Sequence, residues 1–127
     1  MIQTLLVFLG GGLGAAARHG VNIGASRLMG LGFPWGTLTA NIIGSTLMGL
    51  IAGWLAFRGD AGTTQHLRLF LTTGFLGGFT TFSAFSLDAA LLWERGEHWL
   101  AFTYVAVSVA LALAGLFAGL WVVRSLV

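Results

Sequence analysis

A run of glycines and hydroxyl residues interrupts one of the apolar stretches of this chain. Residues 74–86 read Gly-Phe-Leu-Gly-Gly-Phe-Thr-Thr-Phe-Ser-Ala-Phe-Ser, inside a stretch that is otherwise typical of a membrane helix. In lipid every backbone N–H and C=O needs a partner, so a helix break is tolerated only where protein or a water-filled cavity surrounds it. Broken helices also free backbone dipoles that bind ions. The segment therefore predicts an ion site.

Two phenylalanines lie just beyond these glycines, about one helical turn apart. Phe82 and Phe85 are interleaved with the hydroxyl residues Thr81 and Ser83. Aromatic ring edges carry partial positive charge, so two edges aimed into a dehydrated path could solvate a small anion without trapping it. The alternative is that both rings only pack against other helices or face lipid. The residue types alone leave both uses open.

A polar stripe runs along the preceding apolar stretch. Thr37, Asn41 and Ser45 are four residues apart, which places them on one face of a helix. Asn41 is the strongest candidate, because a buried amide needs partners for two N–H donors and one acceptor. The stripe is a candidate lining of an ion path, and hydrogen bonding between helices is the alternative use of the asparagine.

The last apolar stretch carries a shorter stripe of the same kind. Tyr104 and Ser108 lie one turn apart, and the next residue on that face is Ala112, which has no hydroxyl. The alternative is that the tyrosine lies at the membrane interface and the serine bonds back to its own helix. Spacing alone favours this alternative.

Two charged residues fall well inside predicted membrane spans. An arginine is rare inside a membrane span. Arg18 either faces a cavity, where it would concentrate anions, or extends to the membrane interface. Asp88 lies two turns past the predicted helix break, and the sequence assigns it no firm role.

The elements that position these residues are membrane helices. The 127 residues are 57% hydrophobic and 8% charged, against roughly 25% charged in a soluble domain. The length accommodates four helices of about 20 residues each. We therefore predict an all-α integral membrane protein with one transmembrane domain, 1–127, whose third helix is broken near the midplane. The four predicted spans are residues 2–26, 35–57, 67–93 and 99–123.

Composition also excludes several functions. The net charge of +2 reflects scarcity of charge and gives no basic patch for nucleic acid. There is no cysteine for disulfide or thiol chemistry, and no catalytic motif, so we predict no enzyme. Gly12-x-Gly14-x-x-Ala17 imitates a dinucleotide-binding turn, but that motif needs alternating strands and helices. The first apolar stretch lacks signal-peptide features and predicts a retained span.

The arginines are nearly balanced across the predicted loops. With four spans, one side of the membrane receives three arginines and the other receives two or three, so the positive-inside rule barely chooses an orientation. The chain is expected to insert both ways, and two oppositely oriented copies would form an antiparallel dimer that recreates an inverted repeat. The alternative is that one arginine decides the orientation. The two groups are Arg58, Arg68 and Arg124 against Arg27 and Arg95, with Arg18 leaning toward the second.

Three stretches together resemble the Fluc-type fluoride channels of the CrcB family. They are Gly11-Gly-Leu-Gly-Ala-Ala-Ala-Arg18, Gly36-Thr-Leu-Thr-Ala-Asn41-Ile-Ile-Gly44-Ser and Gly74-Phe-Leu-Gly-Gly-Phe-Thr80-Thr-Phe82-Ser-Ala-Phe85-Ser-Leu-Asp88. The third is highly specific, and the likeness covers essentially the whole chain. The resemblance implies passive fluoride export across the plasma membrane by an antiparallel homodimer with two pores, embedded in lipid.

The resemblance also implies roles for individual residues. Phe82 and Phe85 would face the ions, and a structural sodium ion at the dimer centre would be held by the backbone carbonyls of Gly77 and Thr80. Arg18 matches the vestibule arginine of the family. The polar partners along the fluoride pathway would be Asn41, Tyr104 and Ser108, to which we add Thr37, Thr81 and Ser83.

Two other functions compete with a channel. A dual-topology small multidrug transporter also has four short spans, but its proton exchange needs a membrane-embedded carboxylate. The first span here has none, and Asp88 is a poor substitute. A purely structural membrane protein is the third possibility. The residues alone do not choose fluoride over chloride; the family resemblance supplies that choice.

Overall fold

The computed structural model describes residues 1–57 and 61–126, and within them the regular structure is helical, with no strand. The prediction of an all-α protein is confirmed. Arg58, one of the arginines in the predicted topology, lies outside the described residues. The elements in chain order are α1 (Ile2–Met29), α2 (Trp35–Ala56), α3 (Ala61–Arg68), a π-helical segment (Leu69–Leu76), α4 (Gly77–Phe79), α5 (Ser83–Glu94) and α6 (His98–Leu126).

Three described stretches are long and apolar enough to cross a membrane: Trp35–Ala56, Thr64–Glu94 and His98–Leu126. This confirms a protein with several membrane-capable helices. α1 is not among the three, although its 28 residues would extend about 42 Å as a helix. It carries the polar residues Gln3, Arg18, His19 and Asn22, which lower its hydropathy. A fourth span through α1 therefore stays a prediction.

The third membrane-capable stretch is interrupted, as the sequence predicts. Helical backbone ends at Phe79, Thr80 is extended with φ −88° and ψ 159°, and α5 begins at Ser83. We call residues 80–82 the break. It lies just beyond the glycines Gly77 and Gly78, which are themselves helical.

The glycines before the break serve close packing against α1. A Cβ atom on Gly14 would collide with the backbone of Phe75, and one on Gly78 would collide with the backbone of Gly11. Helices that lack a hydrophobic drive in lipid associate through such small residues. α1 consequently lies directly against the π-helical segment and α4, and this contact positions the break.

The core lies between α2, α5 and α6. Its buried members are Leu38, Phe85, Leu92, Ala101 and Tyr104. α2 packs most extensively on α6, again through glycines: a Cβ on Gly49 would meet the Leu116 backbone. Most of the remaining surface of α6 is apolar and exposed, as expected for a helix that faces lipid or another chain.

Candidate functional site

Asn41 on α2 clamps the break by pairing with both backbone groups of Thr81. The Asn41 Nδ2 atom donates to the Thr81 carbonyl at 3.0 Å, and the Thr81 N–H donates to Asn41 Oδ1 at 2.8 Å. In an uninterrupted helix the Thr81 N–H would donate to the carbonyl of Gly77. The asparagine thus satisfies the broken backbone and leaves the Gly77 carbonyl without its helical donor. One hydrogen on Nδ2 stays available for another acceptor.

The start of α5 frees a second carbonyl. The Ala84 N–H donates to Thr81 Oγ1 at 3.1 Å, so it is not used by the Thr80 carbonyl four residues before it. The Ser83 hydroxyl lies 3.3 Å from the same Thr81 oxygen. The Thr80 hydroxyl donates back to the Leu76 carbonyl at 2.9 Å. The break therefore presents main-chain oxygens of Gly77 and Thr80 that have lost their helical partners.

Arg18 reaches the break from α1. Its Nε atom donates to the Gly78 carbonyl at 3.1 Å, across 60 positions of sequence. The side chain is partly buried. The positive charge is therefore placed beside the broken helix, where it satisfies a carbonyl between Gly77 and Thr80.

A cavity of about 230 Å³ opens beside the break. It brings together residues from α2, the break, α5 and α6, and we call it the smaller cavity. Its lining is Asn41, Ser45, Thr80, Thr81, Phe82, Phe85, Ser108, Val109 and Ala112. It thus collects most of the residues that the sequence placed on an ion path, while Ser83 is not part of its lining. None of the described lining residues carries an ionisable side chain.

Ser108 lines the smaller cavity and has an unsatisfied hydroxyl. The residue is 6% exposed, and its Oγ is buried with no hydrogen-bond partner among the described residues. Nearly all buried hydroxyls in proteins are paired. The alternative use of this serine, a bond back to its own helix, is therefore not what the structure shows. An unpaired donor in a cavity wall can serve a bound anion.

The two phenylalanines differ in exposure. Phe82 is 77% exposed and Phe85 is 8% exposed, with ring centroids 5.4 Å apart and planes inclined by 46°. Phe85 also contacts the ring of Tyr104 at 5.2 Å. The pair therefore runs from the open side of the smaller cavity into the core.

A second, larger cavity of about 520 Å³ lies between the end of α1, the start of α2 and α5. It is lined by Thr37 and Asp88 and by the ionisable side chains His19 and Arg95. The hydroxyl of fully buried Tyr104 donates to Asp88 Oδ2 at 3.2 Å. Two residues of the predicted path, Thr37 and Tyr104, are thus associated with the larger cavity rather than the smaller one.

Sequence reasoning missed the residues that close the larger cavity. Arg95 donates to the Gly32 carbonyl and to Glu97 Oε2, each at 3.1 Å, and so ties the turn after α5 to the loop after α1. Phe33 of that loop meets Tyr104 edge to face, with centroids 5.4 Å apart. Arg95 and Gly32 are 63 positions apart, so no local pattern indicates their contact. For Asp88, the missing role is the hydrogen bond from Tyr104.

Comparison with known proteins gives a consistent result. Residues 5–120 match the family described as CrcB-like protein, Camphor Resistance (CrcB). The chain is 62% identical over 122 residues to the fluoride-specific ion channel FluC of Rhodopseudomonas palustris (strain BisB5), covering 96% of this chain and 97% of the relative. It is 62% identical over 125 residues to the fluoride-specific ion channel FluC 2 of Nitrobacter hamburgensis, covering 98% and 99%. The FluC of Caulobacter vibrioides is 52% identical over 124 residues, covering 98% and 97%.

Proposed function

This chain belongs to the CrcB family, and from that membership we propose that it is a fluoride-selective channel through which fluoride leaves the cytoplasm passively. The relatives that cover nearly its whole length are named as fluoride-specific ion channels. The chain is a multi-pass protein of the plasma membrane and a channel, not an enzyme. The export would relieve fluoride toxicity.

The observation that carries this proposal is the donor set of the smaller cavity. A small anion loses much hydration energy when it is dehydrated, and only replacement donors offset that loss. The cavity offers a free N–H of Asn41, the unpaired Ser108 hydroxyl and the ring edges of Phe82 and Phe85. None of its described lining residues is a lysine or arginine that could hold an anion tightly, and conduction needs sites that release as well as bind.

The closing experiment is ion efflux from liposomes that contain the purified protein. We expect fluoride efflux and, under the same gradient, much slower chloride efflux. Efflux of neither ion would reject the channel, and equal efflux of both would reject the selectivity. The multidrug-transporter alternative is not favoured, because the relatives are channels and because Asp88 already accepts a hydrogen bond from Tyr104.

The pores would be completed by a second copy in the opposite orientation, embedded in the same lipid. Phe82 supports this, because it lines the smaller cavity yet is 77% exposed in a single chain. Such a ring in an ion path needs a covering partner. The near balance of the arginines supports an antiparallel homodimer with two pores, and α1 would be the fourth span of each copy.

Orientation can be fixed artificially to test the dimer. Lysines added between residues 58 and 66 should force one orientation and abolish fluoride efflux by that variant alone. Co-expression with an oppositely biased variant should restore it. Full activity of one biased variant by itself contradicts the antiparallel arrangement.

We further propose that the break holds a structural sodium ion where the two copies meet. The fit rests on the carbonyls of Gly77 and Thr80, which have lost their helical donors, and carbonyls of unwound helices suit a hard cation. Arg18 already occupies the carbonyl of Gly78 between them. The ion would supply only charge and a fixed geometry for these oxygens.

A pair of substitutions tests the main-chain site. Thr80→Val keeps the backbone and the side-chain shape but removes the hydroxyl, so sodium-dependent thermal stability of the dimer should be nearly unchanged. A bulky replacement at Gly77 should lower that dependence strongly, because it crowds the carbonyl of the same residue. Loss of sodium dependence in Thr80→Val but not at Gly77 would point to a side-chain site instead.

A further inference from the structure

We infer that Ser45 is an anion-binding residue of the same path and that it supplies the hydroxyl which α6 lacks after Ser108. This inference rests on the proposed channel function. Ser45 is uncharged and lies on the unbroken helix α2, one turn beyond Asn41.

The position of Ser45 supports this role. Ser45 lines the smaller cavity together with Asn41 and Ser108, and it is partly buried. Ser45 follows Asn41 by four residues on α2, so both side chains occupy the same helical face. An ion that passes the free N–H of Asn41 therefore meets Ser45 next along that face.

The hydrogen bonding of the Ser45 hydroxyl also supports this role. Serine and threonine inside helices commonly donate back to a carbonyl of the preceding turn. The neighbouring Thr46 does so, donating to the Ile42 carbonyl at 2.9 Å, and Ser125 donates to the Trp121 carbonyl at 2.8 Å. The Ser45 hydroxyl has no partner in residues 1–57 and 61–126. Its proton is free for a ligand in the cavity.

The α6 residues that line the smaller cavity also support this role of Ser45. On α6 the stripe Tyr104, Ser108 and Ala112 follows one face, and Ala112 lines the smaller cavity without a donor. Val109 is its apolar neighbour in that wall. Beyond Ser108 the α6 residues that line this cavity offer a dehydrated anion no side-chain donor. Ser45 lines the same cavity from α2, so the series of hydrogen-bond donors passes from α6 to α2 at this level.

The two positions predict an exchange of donors. Ser45→Ala removes the hydroxyl with little change in volume and should slow fluoride efflux by about tenfold, the cost of one hydrogen bond to an ion. The double variant Ser45→Ala with Ala112→Ser returns a hydroxyl to the cavity from the other wall and should recover most of the rate. Ser125→Ala is the matched control, because the same change there removes a hydroxyl committed to its own helix.

The experiment measures fluoride efflux from liposomes for the parent, these variants and Ser45→Cys, each normalised to assembled protein. Ser45→Cys keeps the shape with a weaker donor, so an intermediate rate is expected even if the alanine variant assembles poorly. A parent without efflux would reject the channel itself. A conducting parent matched by Ser45→Ala, or a slow Ser45→Ala that Ala112→Ser leaves unimproved, would overturn the role of Ser45 alone.

Discussion

The larger and smaller cavities differ in the polar groups that line them. The larger cavity, about 520 Å³, carries ionisable side chains of both signs, including Asp88 and Arg95. The smaller cavity, about 230 Å³, is lined only by amide, hydroxyl, aromatic and aliphatic groups among the described residues. Phe85, which lines the smaller cavity, contacts the ring of Tyr104 at 5.2 Å, and Tyr104 donates to Asp88 in the lining of the larger cavity.

This difference separates two ways of treating an ion. A wide space with charged walls keeps water, so an anion there retains most of its hydration and each side chain matters little. A narrow space without charges must replace water by placed donors, so each donor matters greatly. Substitutions of the same chemical kind should therefore have unequal effects in the two cavities.

The largest effect is expected from reversing the electrostatics of the smaller cavity. Asn41→Asp puts a negative charge on the path and removes the N–H that holds the Thr81 carbonyl. Fluoride efflux should fall by more than about a hundredfold. Asn22→Asp adds the same charge in the lining of the larger cavity and should be mild. Comparable losses from both, measured in liposomes at equal protein, would erase the distinction between the cavities.

The second-largest effect is expected from removing the aromatic ring edges. Phe82→Ile and Phe85→Ile keep apolar bulk but remove the positive ring edge, so each should slow fluoride efflux by about tenfold. The fraction of assembled dimer, measured by size-exclusion chromatography, should be unchanged. Variants that assemble poorly yet conduct at the parent rate per dimer would instead assign both rings to packing.

The smallest effect is expected at the Tyr104 hydroxyl. Tyr104→Phe removes one hydrogen bond to Asp88 beside the larger cavity, where water can replace it. Efflux should fall by about threefold. Ser108→Ala, the corresponding loss of a hydroxyl in the smaller cavity, should cost more. If Tyr104→Phe proves the more harmful of the two, the dehydrated section extends beyond Phe85 toward the larger cavity.

The sequence indicated the helical class, the break and the cluster around Asn41, because these depend on residue type and local spacing. It did not indicate which hydroxyls are free. Ser45 and Thr46 are neighbours of similar chemistry, yet only Thr46 bonds to its own helix. That choice depends on how α2 packs against α6. The contact of Arg95 with Gly32 depends likewise on the fold, because no short-range pattern joins them.

The position of the break relative to the glycines shows the same limit. Gly78 could serve either as a helix breaker or as a point of close approach, and the sequence does not distinguish these uses. The structure uses it for approach, since the Gly11 backbone leaves no room for a Cβ. Thr80 then becomes the extended residue. The decisive information is the backbone of a distant helix.

The contact between α1 and the π-helical segment also has a consequence for biogenesis. α1 is made first, and it is the long helix that does not reach the hydropathy of a membrane span. The surface that receives its glycines Gly10 and Gly14 is made about 60 residues later, after the whole of α2. During synthesis α1, the least apolar of the three long helices α1, α2 and α6, therefore has only α2 to contact at first, and its glycine face can be covered only after the π-helical segment has been made.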